Sequence, residues 1–90
     1  MIKSWADDAW EEYLYWQAKD KDKARKINEL LKSIERDGID KGLGKPEPLK
    51  HGYKAWSRRI DLENRLVYTI VNQNDTKVIW VISCKGHYED

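Results

Sequence analysis

Both prolines of this chain and three of its five glycines fall within eleven residues, Gly38 to Pro48. Proline removes a backbone donor and glycine relaxes the backbone, so neither a helix nor a central strand tolerates such a density. This segment reads as a loop, and it divides the chain into two parts whose apolar residues recur with different periods.

Ahead of the loop the period is helical. Ala9, Trp10, Tyr13, Leu14 and Trp16 mark a first amphipathic helix from about Asp7, with Asp7, Asp8, Glu11 and Glu12 near its electropositive end. The polar run Asp20-Lys21-Asp22 interrupts the pattern, which resumes at Ala24, Ile27, Leu30, Leu31 and Ile34 and stops at Asp37-Gly38. Two helices in a hairpin are expected. Ile2 to Trp5 reads as either a brief edge strand or an extended lead-in.

Beyond the loop lie three runs of strand character, Ala55 to Asp61, Arg65 to Val71 and Lys77 to Cys84. Leu62-Glu63-Asn64 and Asn72-Gln73-Asn74-Asp75 separate them as links of hairpin length, which predicts an antiparallel meander. In the middle run Leu66, Tyr68 and Ile70 share one face, whereas Val78 to Ile82 is apolar on both, so the last strand should be central. The expected fold is one α+β domain over residues 1–90, with the helical hairpin on one face of an antiparallel sheet and the other face partly open.

With 90 residues the chain can bury only a modest core, and five Trp and five Tyr with no Phe suit that demand. The single Cys84 excludes an internal disulfide and a cysteine-based zinc site, and is expected as core filler in a protein of a reducing compartment. No stretch approaches the roughly 20 apolar residues of a membrane span and no signal-peptide pattern opens the chain, so a cytoplasmic location is expected. The net charge of +1 is unevenly spread: residues 19–65 hold 14 Lys and Arg against 9 Asp and Glu, leaving 3 against 7 at the ends. That asymmetry is compatible with an anionic partner such as nucleic acid.

A few residues could carry chemistry. Glu47 stands between Pro46 and Pro48, which hold its backbone and remove two amide donors; it is either presented for use or an ordinary loop charge. Arg58 and Arg59 must face opposite sides of their strand, Arg58 sharing the side of Trp56 and Ile60. Arg59 and Arg65 could stand together across the hairpin as an anion site, or pair with Asp61 or Glu63. His87, after Gly86, has an imidazole able to release a proton near neutrality. A glutamate, an arginine and a histidine form a base, an anion clamp and an acid, a set able to cleave RNA. His51 lacks such a context and reads as a surface residue, and no His, Asp or Glu pair has metal-ligand spacing.

Four blocks, Lys45-Pro46-Glu47-Pro48-Leu49-Lys50-His51, Trp56-Ser57-Arg58-Arg59-Ile60, Asn64-Arg65-Leu66-Val67-Tyr68 and His87-Tyr88, together with Trp5, Trp10, Tyr13-Leu14-Tyr15-Trp16 and Lys26-Ile27-Asn28-Glu29-Leu30, resemble the Txe/YoeB branch of the RelE toxin superfamily. The resemblance implies a RelE-like microbial-RNase fold and a ribosome-dependent mRNA endoribonuclease, the toxin of a type II toxin–antitoxin pair, that uses neither metal nor cofactor. By position, Glu47 corresponds to the general base, Arg65 to the phosphate-stabilising arginine and His87 to the general acid, while Tyr88 shapes the site. Lys50, Arg59 and Glu63 match positions that support the site or its substrate. Relative to the enterobacterial form the last hairpin is longer and Glu89-Asp90 follows Tyr88.

The implied partners are the ribosome with its mRNA and an antitoxin similar to YefM or Axe, with no membrane involved. A homodimer is also compatible with the resemblance. An acidic antitoxin segment would cover the open face around Arg59, Arg65 and Tyr88, and Lys21, Lys23, Arg25, Lys26 and Lys32 would meet ribosomal RNA. The alternatives from other classes are a non-catalytic ParE-like gyrase-binding toxin and a plain RNA-binding module.

Overall fold

The computed structural model describes residues 1–50 and 54–86. His51, His87, Tyr88 and the Glu89-Asp90 tail lie outside the described residues. In chain order the elements are β1 (Ile2–Trp5), α1 (Asp7–Lys19), α2 (Lys21–Asp37), β2 (Glu47–Pro48), β3 (Trp56–Arg59), β4 (Arg65–Gln73) and β5 (Thr76–Ser83). The strands form one sheet in the order β1-β5-β4-β3-β2. The expected α+β arrangement holds, with helices on one face of the sheet.

The helical break is tighter than the polar run suggested. Asp20 alone is non-helical: its N–H donates to the Trp16 carbonyl at 2.8 Å, closing α1, while its carboxylate accepts from Asp22 N–H at 3.2 Å, opening α2. A side chain able to cap a helix start lets one residue serve both ends. Tyr13 on α1 donates its hydroxyl to Asn28 Oδ1 on α2 at 2.7 Å, which sets the two helices side by side. Gly38 ends α2 with φ 103° and its N–H on the Ile34 carbonyl.

Ala9, Trp16, Ala24, Ile27, Leu30, Leu31 and Ile34 of the helices pack against Leu66, Tyr68, Ile79 and Val81 of the sheet, with Ile60 and Cys84 at its end. Each of the buried Ile, Leu and Val side chains contributes about 1.5–3 kcal/mol by leaving water, so this one layer is the principal source of stability.

Three features differ from the expected meander. First, β1 pairs with β5 in parallel, Ile2 opposite Val78 and Trp5 opposite Val81, so the sheet is mixed. The edge-strand reading of Ile2 to Trp5 is the one that holds, and β5 is internal while β4 is the middle strand. Second, the Gly38–Pro48 loop ends in a strand: Glu47 and Pro48 pair with Ser57 and Trp56. Prolines are tolerated there because β2 is an edge. Third, the β4–β5 ladder continues through Gln73 opposite Thr76, leaving a two-residue turn at Asn74 and Asp75. Their φ values, 50° and 64°, are the positive pair that a twisted two-residue hairpin requires. A bulge opposite Val67 and Tyr68 shifts the alternation near the end of β5, so that Cys84 returns to the core.

Among the described residues, no helix is long and apolar enough to cross a membrane.

Candidate active site

Register decides which charged side chains share the helix-free face. Arg58 pairs with Leu66, and Leu66 belongs to the core, so Arg58 faces the helices and its neighbours Ser57 and Arg59 face away from them. Glu47 is opposite Ser57, and Arg65 is opposite Arg59. Glu47, Ser57, Arg59 and Arg65 are therefore on one face. Two strand spacings, about 10 Å, separate the backbones of β2 and β4. That interval suits a phosphodiester placed between a carboxylate on one side and guanidinium groups on the other.

Glu47 is exposed, whereas Arg59 and Arg65 are half-buried and stand directly across from each other. Like charges in directly opposed positions destabilise a sheet. Asp61, considered as their partner, is engaged elsewhere: it accepts from Lys23 Nζ at 2.8 Å and from Asn64. Glu63 is exposed in the link between β3 and β4, and its backbone N–H donates to Asp61 at 2.8 Å. Among the described residues neither Arg59 nor Arg65 has a carboxylate partner, so the positive charge of the pair is uncompensated. Arg65 Nη1 lies 3.4 Å from the hydroxyl of Ser57. Ser57 is buried and stands on β3 directly opposite Glu47, with Arg65 diagonal to it, a position to which the sequence alone assigns no role.

The backbone of Arg65 donates to the Gly86 carbonyl at 3.1 Å. Gly86 is the residue before His87, so the end of the described chain is joined to the site at its arginine. Lys50 is exposed two residues after β2.

On the other face, Arg58 was read only as the covered member of its pair. It is fully buried and uses five donor bonds: Nε to the Tyr68 hydroxyl (2.8 Å), Nη1 to Ser33 Oγ and the Leu43 carbonyl (both 3.0 Å), and Nη2 to the carbonyls of Gly38 (2.8 Å) and Lys41 (2.6 Å). A guanidinium in this setting needs every donor matched. The Tyr68 hydroxyl in turn donates to the Ile39 carbonyl at 2.6 Å, and burial pushes its ionisation upward although Arg58 opposes the shift. The loop that delivers Glu47 is thus fastened from inside. It also packs closely: a Cβ on Gly44, at φ 83°, would stand 2.8 Å from Leu30 Cδ2 and 3.0 Å from Arg58 Cβ. The Gly44 carbonyl accepts from Arg59 N–H at 2.7 Å, completing the approach to β2.

Of the basic residues assigned to the helical surface, Lys21, Arg25 and Lys32 are exposed and Lys23 and Lys26 half-buried. Lys23 is paired with Asp61, and Arg25 with Asp22 at 2.8 Å. Among the described residues no three His, Cys, Asp or Glu side chains come together in a group that could hold a metal.

Residues 5–88 match the family profile of the YoeB-like toxin of bacterial type II toxin–antitoxin systems. The chain belongs to this family. Toxin YoeB of Escherichia coli K12 is 45% identical over 85 residues, covering 93% of this chain and 95% of the relative. Two solved Staphylococcus aureus structures share the whole architecture. A YoeB dimer superposes with TM-score 0.87 at 47% identity, and the toxin of a YoeB–YefM complex with TM-score 0.85 at 45% identity, each covering 98% of both chains. With that family membership the blocks around Glu47, Arg59 and Arg65, scattered in sequence, are seen to converge on one face of a YoeB-like sheet.

Proposed function

We propose that this YoeB-like toxin is a ribosome-dependent mRNA endoribonuclease. Glu47 is the general base, Arg65 the anion clamp, His87 the general acid and Tyr88 a shaping residue, with Lys50, Arg59 and Glu63 supporting the substrate. The observation that carries this reading is the shared helix-free face of Glu47, Arg59 and Arg65, with Arg65 bonded to the main chain of Gly86.

The chemistry follows from RNA itself. Glu47 takes the proton of the 2′-OH, and the 2′-oxygen attacks the adjacent phosphorus in line. The paired guanidiniums offset the negative charge that builds on the phosphoryl oxygens. His87 protonates the departing 5′ oxygen. The products are a 2′,3′-cyclic phosphate, or its hydrolysed form, and a 5′-OH.

The solved YoeB–YefM complex supports a YefM-like antitoxin as partner, and the solved YoeB dimer supports a homodimer. An acidic antitoxin segment would occupy the same cationic face that binds phosphate.

The test is to incubate the protein with translating ribosomes programmed with a defined mRNA and to map the new ends. Cleavage at the A-site codon, with a 5′-OH downstream, is expected. Intact mRNA under conditions where the protein still arrests translation or supercoiling would overturn the proposal.

A further inference from the structure

The main chain that leads to His87 is held at two points. At Cys84, α1 supplies the hold: Glu12 Oε1 accepts from its N–H at 2.8 Å, the Trp16 indole N–H donates to its carbonyl at 2.8 Å, and its thiol donates to the Ala9 carbonyl at 3.4 Å. At Gly86 the hold is the link between β3 and β4. The Gly86 N–H donates to Asn64 Oδ1 at 2.8 Å, and its carbonyl accepts from Arg65 N–H at 3.1 Å. Gly86 sits at φ 89°, a conformation that other residues seldom adopt, so the bonds fix a turn that only glycine makes easily.

Asn64 is itself oriented. Its Nδ2 donates to both carboxylate oxygens of Asp61 at 3.1 Å, which leaves Oδ1 to face Gly86. Asp61 Oδ1 also accepts from the N–H groups of Glu63 (2.8 Å) and Asn64 (2.7 Å), and Oδ2 from Lys23 Nζ (2.8 Å). Burial works against this carboxylate's charge, yet Lys23, the Asn64 side chain and the two backbone donors outweigh it and hold its pKa well below the usual carboxylate range. A chain of polar contacts therefore runs from α2 through Asp61 and Asn64 to Gly86.

We propose that Asn64 is a positioning residue for cleavage: by accepting from Gly86 N–H it fixes, against Arg65, the point from which the chain runs on to His87. The inference rests on the reading of His87 as the general acid. In that step the 2′-oxygen bonds to phosphorus, the bond from phosphorus to the 5′ oxygen breaks with its electron pair going to that oxygen, and the imidazolium gives it a proton. A 5′ sulfur in that position leaves as a thiolate, whose conjugate acid, near pKa 8.5 for a cysteine-like thiol, needs no protonation to depart.

The experiment is single-turnover cleavage on translating ribosomes of two mRNAs, one natural and one with a single 5′-bridging sulfur at the cleaved linkage. His87→Gln should be slow on the oxygen linkage and recover on sulfur, which establishes the acid. Asn64→Ala should be about 10-fold slower on oxygen and within about 2-fold of the parent on sulfur, a fraction of the loss expected for the acid itself. With His87→Gln behaving as stated, equal losses by Asn64→Ala on both linkages, or no loss on either, would overturn the inference alone. A His87→Gln defect that persists on sulfur would remove the acid assignment, and the inference with it.

Discussion

Arg58 and Arg59 are adjacent in sequence and identical in chemistry, yet their surroundings have nothing in common. Arg58 lies under the helices with its donors committed to one side-chain hydroxyl on β4, one on α2 and three loop carbonyls. Arg59 lies on the helix-free face opposite another arginine, with no carboxylate against it among the described residues. A one-residue step along a strand reverses the face, and the reversal separates a cation that organises the molecule from one whose charge no carboxylate among the described residues balances. The two faces therefore divide the labour: one matches the donors of its arginine internally, the other withholds the counter-charge from a pair of cations.

The sharpest way to break this comparison is substitution of the two neighbours. Arg58→Ala leaves three carbonyls and the Tyr68 hydroxyl without their arginine donor in the interior and should cost about 3–5 kcal/mol in urea unfolding. Arg59→Ala should change stability by less than about 0.5 kcal/mol, or raise it slightly by relieving repulsion from Arg65, while slowing cleavage. Equal costs at the two positions would dissolve the distinction. Next in size are Glu47→Gln and His87→Gln, each expected to lower single-turnover cleavage by about 10²-fold with unchanged unfolding curves. Undiminished rates in both would remove the acid–base assignment.

Arg65→Ala should also lose activity, and Arg65→Lys should recover only part of it because an ammonium cannot reproduce the two-pronged donor. Full recovery would reduce the clamp to a point charge. Asp61 supplies a smaller effect. Its folded pKa lies below its unfolded value, so its contribution is present at neutral pH and is lost as pH falls from the ordinary carboxylate range through the lower folded value. Asp61→Asn should therefore be less stable than the parent by on the order of 1 kcal/mol at pH 7, and the gap should narrow in acid. A pH-independent gap would mean that the carboxylate charge is immaterial there. The smallest effect is at Cys84, whose thiol is pushed up to about 12 by burial and by the nearby Glu12 carboxylate. Thiol reagents at neutral pH should leave it untouched until denaturant is added.

The helices and the two long strands, β4 and β5, are legible because their apolar residues recur often enough to define a period. The shorter β3 is legible from the links that bound it, although its run, Ala55 to Asp61, extends past the strand at both ends. Ile2 to Trp5 and Glu47-Pro48 are not, since four and two residues carry too few repeats to announce a partner or a direction. The proline flanks of Glu47 argued against a strand, and only the edge position of β2 makes them harmless. At the candidate site, alternation correctly put Arg59 with Arg65. The anchoring of the loop by Arg58 was missed, although the signal was present: an arginine on the Trp56 face must be covered, and the glycine-rich loop offers the backbone carbonyls that a buried guanidinium needs. Ser57 and Asn64 left no comparable trace, because a serine and an asparagine acquire meaning only from what register and turn place beside them.

The parallel pairing of β1 with β5 also bears on timing. Residues 2–5 are made long before their partners 78–81, so this edge of the sheet cannot close until β5 has been synthesised. Until then the first strand has no neighbour, and the arginine at the head of β4 lacks the Gly86 carbonyl that its N–H holds in the finished fold. A protein proposed to cut messages on ribosomes thus becomes competent only after β5 and the Gly86 that follows it have been made.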